Sequence, residues 1–329
     1  MEILESEKLV HAIVLGYCNF KTTTQKCLES LIVYLNRPDF KLTVIDNGSL
    51  DDAAEMQQQF VRSYPQIESI ILPHNLGYGG GMNYGASSSN ATWIFLIGSD
   101  TVFSPDAFKF LCDKLPKLDS CVGIVGPVTN EAGTTQQMTF VNKTSHSIIQ
   151  EFQEQFGELC MLDVPLYRAD FFCVAIRKIL WDKLKGLDLV YGRGYYEDFD
   201  FCLRAKALGY QIIMLEDVFV YHAGSQSFKY DSTQKKLIKK NKKIFIQKFP
   251  DAELRHRRVD QLKTLEYYLS LPDSYIRQNS IKKRIMNRLE MIKKDQPRSF
   301  WKKWQWRAKV RAIEHEASKR IEAQISLST

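Results

Sequence analysis

The densest group of reactive side chains in this sequence is Tyr196-Glu197-Asp198-Phe199-Asp200, three carboxylates within four residues. It follows the glycine- and aromatic-rich stretch Gly192-Arg193-Gly194-Tyr195 and runs on through Leu203-Arg204 to Gly209. That order predicts a loop entering a helix, with Gly209 as the cap that ends it. Carboxylates in a first helical turn are favoured by the helix dipole, which predicts lowered pKa values and requires no catalytic role. A general base that takes a proton from a hydroxyl also needs a rigidly held carboxylate, and a first turn holds one well. Other polar residues stand at the ends of apolar runs: Tyr17 and Asn19, Asp46 and Asn47, Asn75, and Ser99 and Asp100. His222 closes the run 218–221, and taken alone a histidine there reads as structural.

The elements that must position these groups follow from periodicity. From Val10 to about Tyr221, short β-rich runs alternate with helix-like ones: strands at 11–17, 41–46 and 93–97, and a helix over 22–35. Such alternation predicts a mostly parallel α/β sheet, and the continuously apolar 93–97 predicts a sheet covered on both faces. Ligands of such sheets bind at the carboxyl ends of the strands, where the polar residues lie. Residues 130–158 are polar and weakly periodic, as for an irregular excursion.

The 329-residue chain is 44% apolar, enough for a sizeable core and, at about 100 to 200 residues per domain, for two units. A division into 1–232 and 233–329 separates opposite charges. The first part holds 19 Lys and Arg against 28 Asp and Glu, the second 26 against 10. The expectation is an acidic catalytic body followed by a basic helical extension suited to an anionic surface. In the extension Ile281, Ile285, Leu289 and Ile292 line one helical face. Lys282, Lys283, Arg284, Arg288, Lys293 and Lys294 fall on the others, and Pro297 ends the helix. Phe300, Trp301, Trp304 and Trp306 follow among lysines and arginines, a composition suited to the headgroup level of a bilayer.

Three readings of 281–311 stand open: a membrane surface, a helical hairpin docked on the body or on a second copy of the chain, and nucleic acid, which no recognition motif supports. The acidic start at residues 1–8 does not read as a secretory signal, and no apolar run nears the roughly 20 residues that span a bilayer. A cytoplasmic protein, at most peripheral on the inner face of the membrane, is expected. Seven cysteines without a C-x-x-C pair read as reduced, buried thiols.

Four motifs in order make a family resemblance specific. They are Val44-Ile45-Asp46-Asn47-Gly48-Ser49, the glycine segment Asn75 to Gly85, the Tyr196 to Asp200 block with Leu203-Arg204, and Tyr221-His222-Ala223-Gly224. Together they resemble family 2 of the inverting glycosyltransferases over about residues 10–228, in the style of bacterial rhamnosyltransferase-like members of polysaccharide biosynthesis. The resemblance implies a GT-A fold, a Rossmann-like α/β arrangement with a mostly parallel mixed sheet flanked by helices. It implies that Tyr17, Asn19, Asp46 and Asn47 line the pocket for the donor's base and ribose, with Asp46 accepting from a pyrimidine N3. Without it, Asp46 and Asn47 read as a turn after a strand. Gly77, Gly79 and Asn83 would lie near the donor's ribose or diphosphate. Ser99 and Asp100 occupy the place of the family's Asp-x-Asp element, whose first acid is replaced by Gly98. Asp100 and His222 are then the implied ligands of Mn2+ or Mg2+, completed by diphosphate oxygens and waters.

The implied reaction is single displacement. Asp198 deprotonates a hydroxyl of a glycan or lipid-linked acceptor as it attacks a UDP- or dTDP-sugar, the metal neutralises the leaving diphosphate, and configuration inverts. Glu197 is expected to orient the acceptor or nearby backbone, and Asp200 to pair with Arg204. The alternative is a catalytically inactive, glycosyltransferase-like scaffold of a polysaccharide-assembly complex, supported by Gly98 and opposed by Glu197, Asp198 and His222. A dehydrogenase is excluded because Met82 or Tyr84 stands where the dinucleotide pattern needs its last small residue. A nucleotidyltransferase lacks its lysine-bearing, glycine-rich N-terminal loop.

Overall fold

The computed structural model describes residues 9–224 and 234–322. Among them nine strands form one sheet: β1 (Val10–Gly16), β2 (Phe40–Asp46), β3 (Ile67–Ile71), β4 (Trp93–Gly98), β5 (Thr101–Phe103), β6 (Val122–Val128), β7 (Asp163–Pro165), β8 (Cys173–Arg177) and β9 (Gln211–His222). Their order is β3-β2-β1-β4-β8-β6-β9-β5, with β7 also paired to β9. Strands β3, β2, β1, β4, β6 and β9 share one direction and β5, β7 and β8 oppose it. This is the mostly parallel mixed sheet expected.

Side chains alternate across the pleat, so each strand feeds two cores. Ile13, Ile94 and Leu96 enter one, while Val14, Phe95 and Ile97 enter the other. Helices α1 (Thr24–Glu29), α2 (Ala53–Arg62) and α4 (Ala107–Lys114) cover the second core, and α3 (Gly77–Ser87), α5 (Ser145–Phe156), α6 (Lys178–Leu184) and α7 (Glu197–Ala207) cover the first. The helix expected over 22–35 stops at Glu29. Ser30 ends it, its hydroxyl donating to the Cys27 carbonyl (2.7 Å) and accepting from the Phe103 amide (3.2 Å). Within 130–158 the excursion contains α5, which Thr144 and Ser147 cap reciprocally. Ile148, Phe152 and Phe156 bury one face of it, with Phe152 stacked on Phe219 at 4.6 Å.

The basic segment continues as α8 (Gln234–Lys248), α9 (Arg257–Ser270), α10 (Asp273–Ile276), α11 (Asn279–Lys294) and α12 (Phe300–Glu322). The division at 232/233 lies outside the described residues. Helices α9, α11 and α12 join the same core as α3 and α5, and Ile281, Ile285, Leu289 and Ile292 are buried there. Two cations expected on the exposed faces of α11 are interior instead, because β9 places two carboxylates beneath them. Arg284 is fully buried, donates to Asp217 (2.8 Å) and lies 3.6 Å from Glu216. Arg288, also fully buried, pairs with Glu216 and donates to the Thr135 carbonyl (2.6 Å) and Gln261 (2.7 Å). No helix among the described residues is long and apolar enough to cross a membrane.

Candidate active site

A cavity of about 820 Å³ opens where the strands of shared direction end. Tyr17 follows β1, Asn47 follows β2, Ser99 and Asp100 follow β4, and His222 ends β9; all line it. Arg168, Asp170 and the segment 193–199 line it as well.

His222 is oriented at both ring nitrogens. Its Nδ1 lies 2.8 Å from the Glu131 carbonyl, to which it donates, so Nε2 faces the Asp100 carboxylate at 3.5 Å. The ring stacks on Phe172 at 4.9 Å. Burial lowers the basicity of this imidazole, but Asp100 outweighs it and the net pKa shift is upward. A carbonyl that fixes the far nitrogen is the usual support of a metal-binding histidine. The pair supplies one nitrogen and one carboxylate, a donor set that suits a divalent cation whose other positions go to ligand oxygens. No group of three or more His, Cys, Asp or Glu able to hold a metal occurs among the described residues. A Cβ at Gly98 would lie 3.1 Å from the Phe172 carbonyl and 3.3 Å from Asp100, so an acid there would crowd both.

Glu197 and Asp198 begin α7 after a bend in which Tyr195 (φ +72°) and Tyr196 (φ +78°) are both left-handed. Such conformations cost of the order of 1 to 3 kcal/mol each in residues other than glycine and persist only where the surroundings impose them. Here the bend turns both carboxylates into the cavity. Asp198 keeps about a fifth of its side chain exposed (21%), enough for a substrate hydroxyl to reach it. It accepts from the Phe199 amide at 2.7 Å, and Arg168 stands 3.9 Å away. Burial raises its pKa, Arg168 opposes that and Asp170 adds to it, leaving the group pushed up to about 6. Glu197 is raised further, to about 8, first by burial and then by Asp198. One of its oxygens is buried without a partner among the described residues. The lowering expected from the helix dipole is therefore overturned, because desolvation and like charge outweigh it. Burial and mutual repulsion thus favour the protonated form of both groups relative to free carboxylates, more strongly at Glu197, where no cation opposes the shift.

The bend is held from outside by α8. Asn241, fully buried, donates through Nδ2 to the carbonyls of Tyr191 (2.7 Å), Gly194 (2.7 Å) and Tyr195 (3.1 Å). Phe245 of α8 stacks on Phe199 at 4.5 Å. Asp200, fully buried, pairs with Arg204 as expected and also receives Tyr191 (3.0 Å) and Lys248. Sequence reasoning missed Asn241 and Arg168. The one available signal for Asn241 was an amide amid lysines in a helix interior, and for Arg168 nothing local distinguished it from a surface cation.

Glycosyl transferase family 2 matches residues 12–182, just over half of the chain. The chain belongs to that family. Its mixed sheet, flanking helices and helical C-terminal region make the GT-A fold. A mannosyltransferase of Pyrobaculum calidifontis in complex with GDP-Man and Mn2+ superposes with a TM-score of 0.52 at 14% identity, over 97% of this chain and 88% of the other. Among curated relatives, a dolichyl-phosphate beta-glucosyltransferase of Trichomonas vaginalis is 28% identical over 120 residues, 34% of this chain and 35% of the relative. A teichoic acid poly(glycerol phosphate) polymerase of Staphylococcus epidermidis is 25% identical over 131 residues, 40% of this chain and 17% of the relative. The chain thus matches about a third or less of the length of these relatives.

Of the donor residues implied for this family 2 chain, Tyr17, Asn47, Gly77, Ser99 and Asp100 line the cavity, whereas Asn19, Asp46, Gly79 and Asn83 do not. Asn19 is exposed and its amide donates to Asp51 (2.8 Å). Asp46 is buried, and its carboxylate accepts from the amide (2.9 Å) and the hydroxyl of Ser49, the turn that its position after a strand also predicts. Gly79 faces Leu187 and Leu189. Asn83 is engaged at both ends by the Leu187 backbone, donating at 2.8 Å and accepting at 2.9 Å, so it fastens α3 to the loop after α6. The glycine segment is mainly this helix, and its small residues serve packing. A Cβ at Gly81 would come 2.5 Å from Leu15 of β1, and one at Gly77 would come 2.3 Å from the Gly192 carbonyl.

Proposed function

We propose that this family 2 chain is an inverting glycosyltransferase that moves a hexosyl or deoxyhexosyl group from a UDP- or dTDP-sugar to a hydroxyl of a glycan or lipid-linked acceptor in surface polysaccharide synthesis. The reading rests on one observation above the others: a single cavity is lined both by the Asp100–His222 pair and by a carboxylate raised toward neutrality at the start of α7. Asp100 and His222 would hold Mn2+ or Mg2+, which when bound supplies positive charge to the leaving diphosphate. Ionised Asp198 takes the proton of the acceptor hydroxyl as that oxygen bonds to the anomeric carbon and the bond to the diphosphate breaks. Attack opposite the leaving group inverts the configuration. Burial and the neighbouring Asp198 favour the protonated form of Glu197, which suits it to donate a hydrogen bond to the acceptor, and Arg168 opposes the same effect at Asp198.

The test is a thermal-shift and donor-hydrolysis screen against UDP-, dTDP- and GDP-sugars with and without Mn2+, repeated on Asp198→Asn and His222→Ala. The expected result is metal-dependent stabilisation by one donor, with turnover reduced about 10²- to 10⁴-fold in Asp198→Asn while donor binding persists. His222→Ala should lose the metal dependence. Silence toward every donor would favour the inactive scaffold, the second reading that Gly98 keeps in play.

A further inference from the structure

The aromatic cluster expected to meet a membrane divides in the structure. Trp306 turns inward, its indole donating to the Ile292 carbonyl at 3.0 Å. Phe300, Trp301 and Trp304 stay outside at 74%, 73% and 64% exposure. The buried face of α12 is Trp306, Val310, Ile313 and Ala317, so the three exposed rings lie away from the core it joins. Phe300, Trp304, Arg307 and Arg311 recur at spacings of four, three and four, which puts two rings and two cations on one stripe. Between Asp295 and Glu314 the chain carries six basic residues and no acidic one. Of these, Arg298, Lys302, Lys303, Arg307 and Arg311 make no ion pair among the described residues.

The location of this surface follows from the ion pairs. Arg255 and His256, just before α9, line the cavity, and Arg257 donates to the Ala132 carbonyl, another lining residue, at 3.2 Å. Asp295, just past α11, lies 3.5 Å from both Arg257 and Arg258. Phe300 begins α12 five residues later. The rings therefore sit at the end of the helical layer that borders the cavity.

We infer that the start of α12 docks on a bilayer containing anionic lipid, with Phe300, Trp301 and Trp304 at headgroup depth and the flanking cations on lipid phosphates. Exposed rings interleaved with unpaired cations match a surface that is apolar just below a negatively charged layer. A second copy of this chain is the poorer occupant, since a two-fold contact here would bring Arg307 and Arg311 of both copies together. The docking stands without the transferase reading, and only its use in presenting a lipid-linked acceptor to Asp198 rests on it.

The test is co-sedimentation of the full chain with vesicles of equal parts phosphatidylcholine and phosphatidylglycerol, and with phosphatidylcholine alone. Wild type should bind the mixed vesicles, weakly or not at all the neutral ones, and less in high salt. The triple variant Phe300→Ser, Trp301→Ser, Trp304→Ser should lose roughly tenfold or more of that binding. Its thermal midpoint and its donor hydrolysis in free solution should match wild type, which separates a failed docking surface from a failed enzyme assignment. Unchanged vesicle binding by the triple variant would overturn the inference. So would wild type that ignores vesicles but self-associates, or binds single-stranded oligonucleotides, through the same three residues.

Discussion

Replacing Asn241 with alanine tests whether Asp198, the proposed base, is positioned by a helix far along the chain. The substitution deletes three donations from one amide to the carbonyls of Tyr191, Gly194 and Tyr195. Its own oxygen has no partner among the described residues, so the contribution lies in the donor side alone. The amide has two N–H groups to share among the three carbonyls, so at about 1 kcal/mol net for each full hydrogen bond the bend loses about 2 kcal/mol of support. That is comparable to the cost of holding Tyr195 and Tyr196 in left-handed conformations, so the loop gains a reason to relax. Since 1.4 kcal/mol is tenfold, the population with Asp198 facing the cavity falls by up to about thirtyfold. Steady-state kinetics should show kcat/KM reduced about 10- to 30-fold. Donor-induced thermal stabilisation should survive, because Tyr17, Asp100 and His222 belong to strand ends that α8 does not hold. Asn241→Asp should behave alike, turning an acceptor toward three acceptors. Turnover within about twofold of wild type in Asn241→Ala would refute the reasoning, as would an equal loss of donor binding.

Two further perturbations test the charges around the cavity and in the core. Asp198 must be ionised to act, so kcat/KM should fall as pH drops through about 6. Arg168→Gln removes the cation that opposes this upward shift, so the acidic limb should move to higher pH; an unmoved limb would dismiss Arg168 as a positioning residue. Arg288→Met leaves buried Glu216 only the more distant Arg284, at 3.6 Å, and the Tyr268 hydroxyl, and should cost about 3 kcal/mol in a denaturant titration, whereas adding Glu216→Leu should recover part of it, since Arg284 keeps Asp217. Equal stability of the single and double variants would defeat that account.

The carboxylate wall of the cavity was legible where chemistry and local geometry share one short segment. Tyr196 to Asp200 announces both the turn and the acids, and the apolar runs around Ile13 and Phe95 announce covered strands. Ile148, Phe152 and Phe156 also recur every four residues after a capping threonine, a helix that polar composition concealed. Arg284 and Arg288 could not be read as interior, because their acids Glu216 and Asp217 lie some 70 residues away and only tertiary packing joins them. The pKa direction at Asp198 failed for the same reason: the dipole is a local effect, whereas burial depends on Arg168, Asp170 and the elements closing over them. Asp46 and Asn83 show the converse limit, since a motif marks which residues matter without saying that each must touch a ligand.

The grip of Asn241 on the 191–195 backbone has a consequence for how the protein is made. A chain synthesised from its N-terminus completes every described strand of the sheet by residue 222, yet the amide that fixes the bend emerges later, and the arginines that neutralise Glu216 and Asp217 later still. A nascent chain can bring together Asp100 and His222 before the bend that carries Asp198 is fastened. The Asp100–His222 side of the cavity thus precedes the 195–198 bend in the order of assembly, which is complete only once α8 has docked.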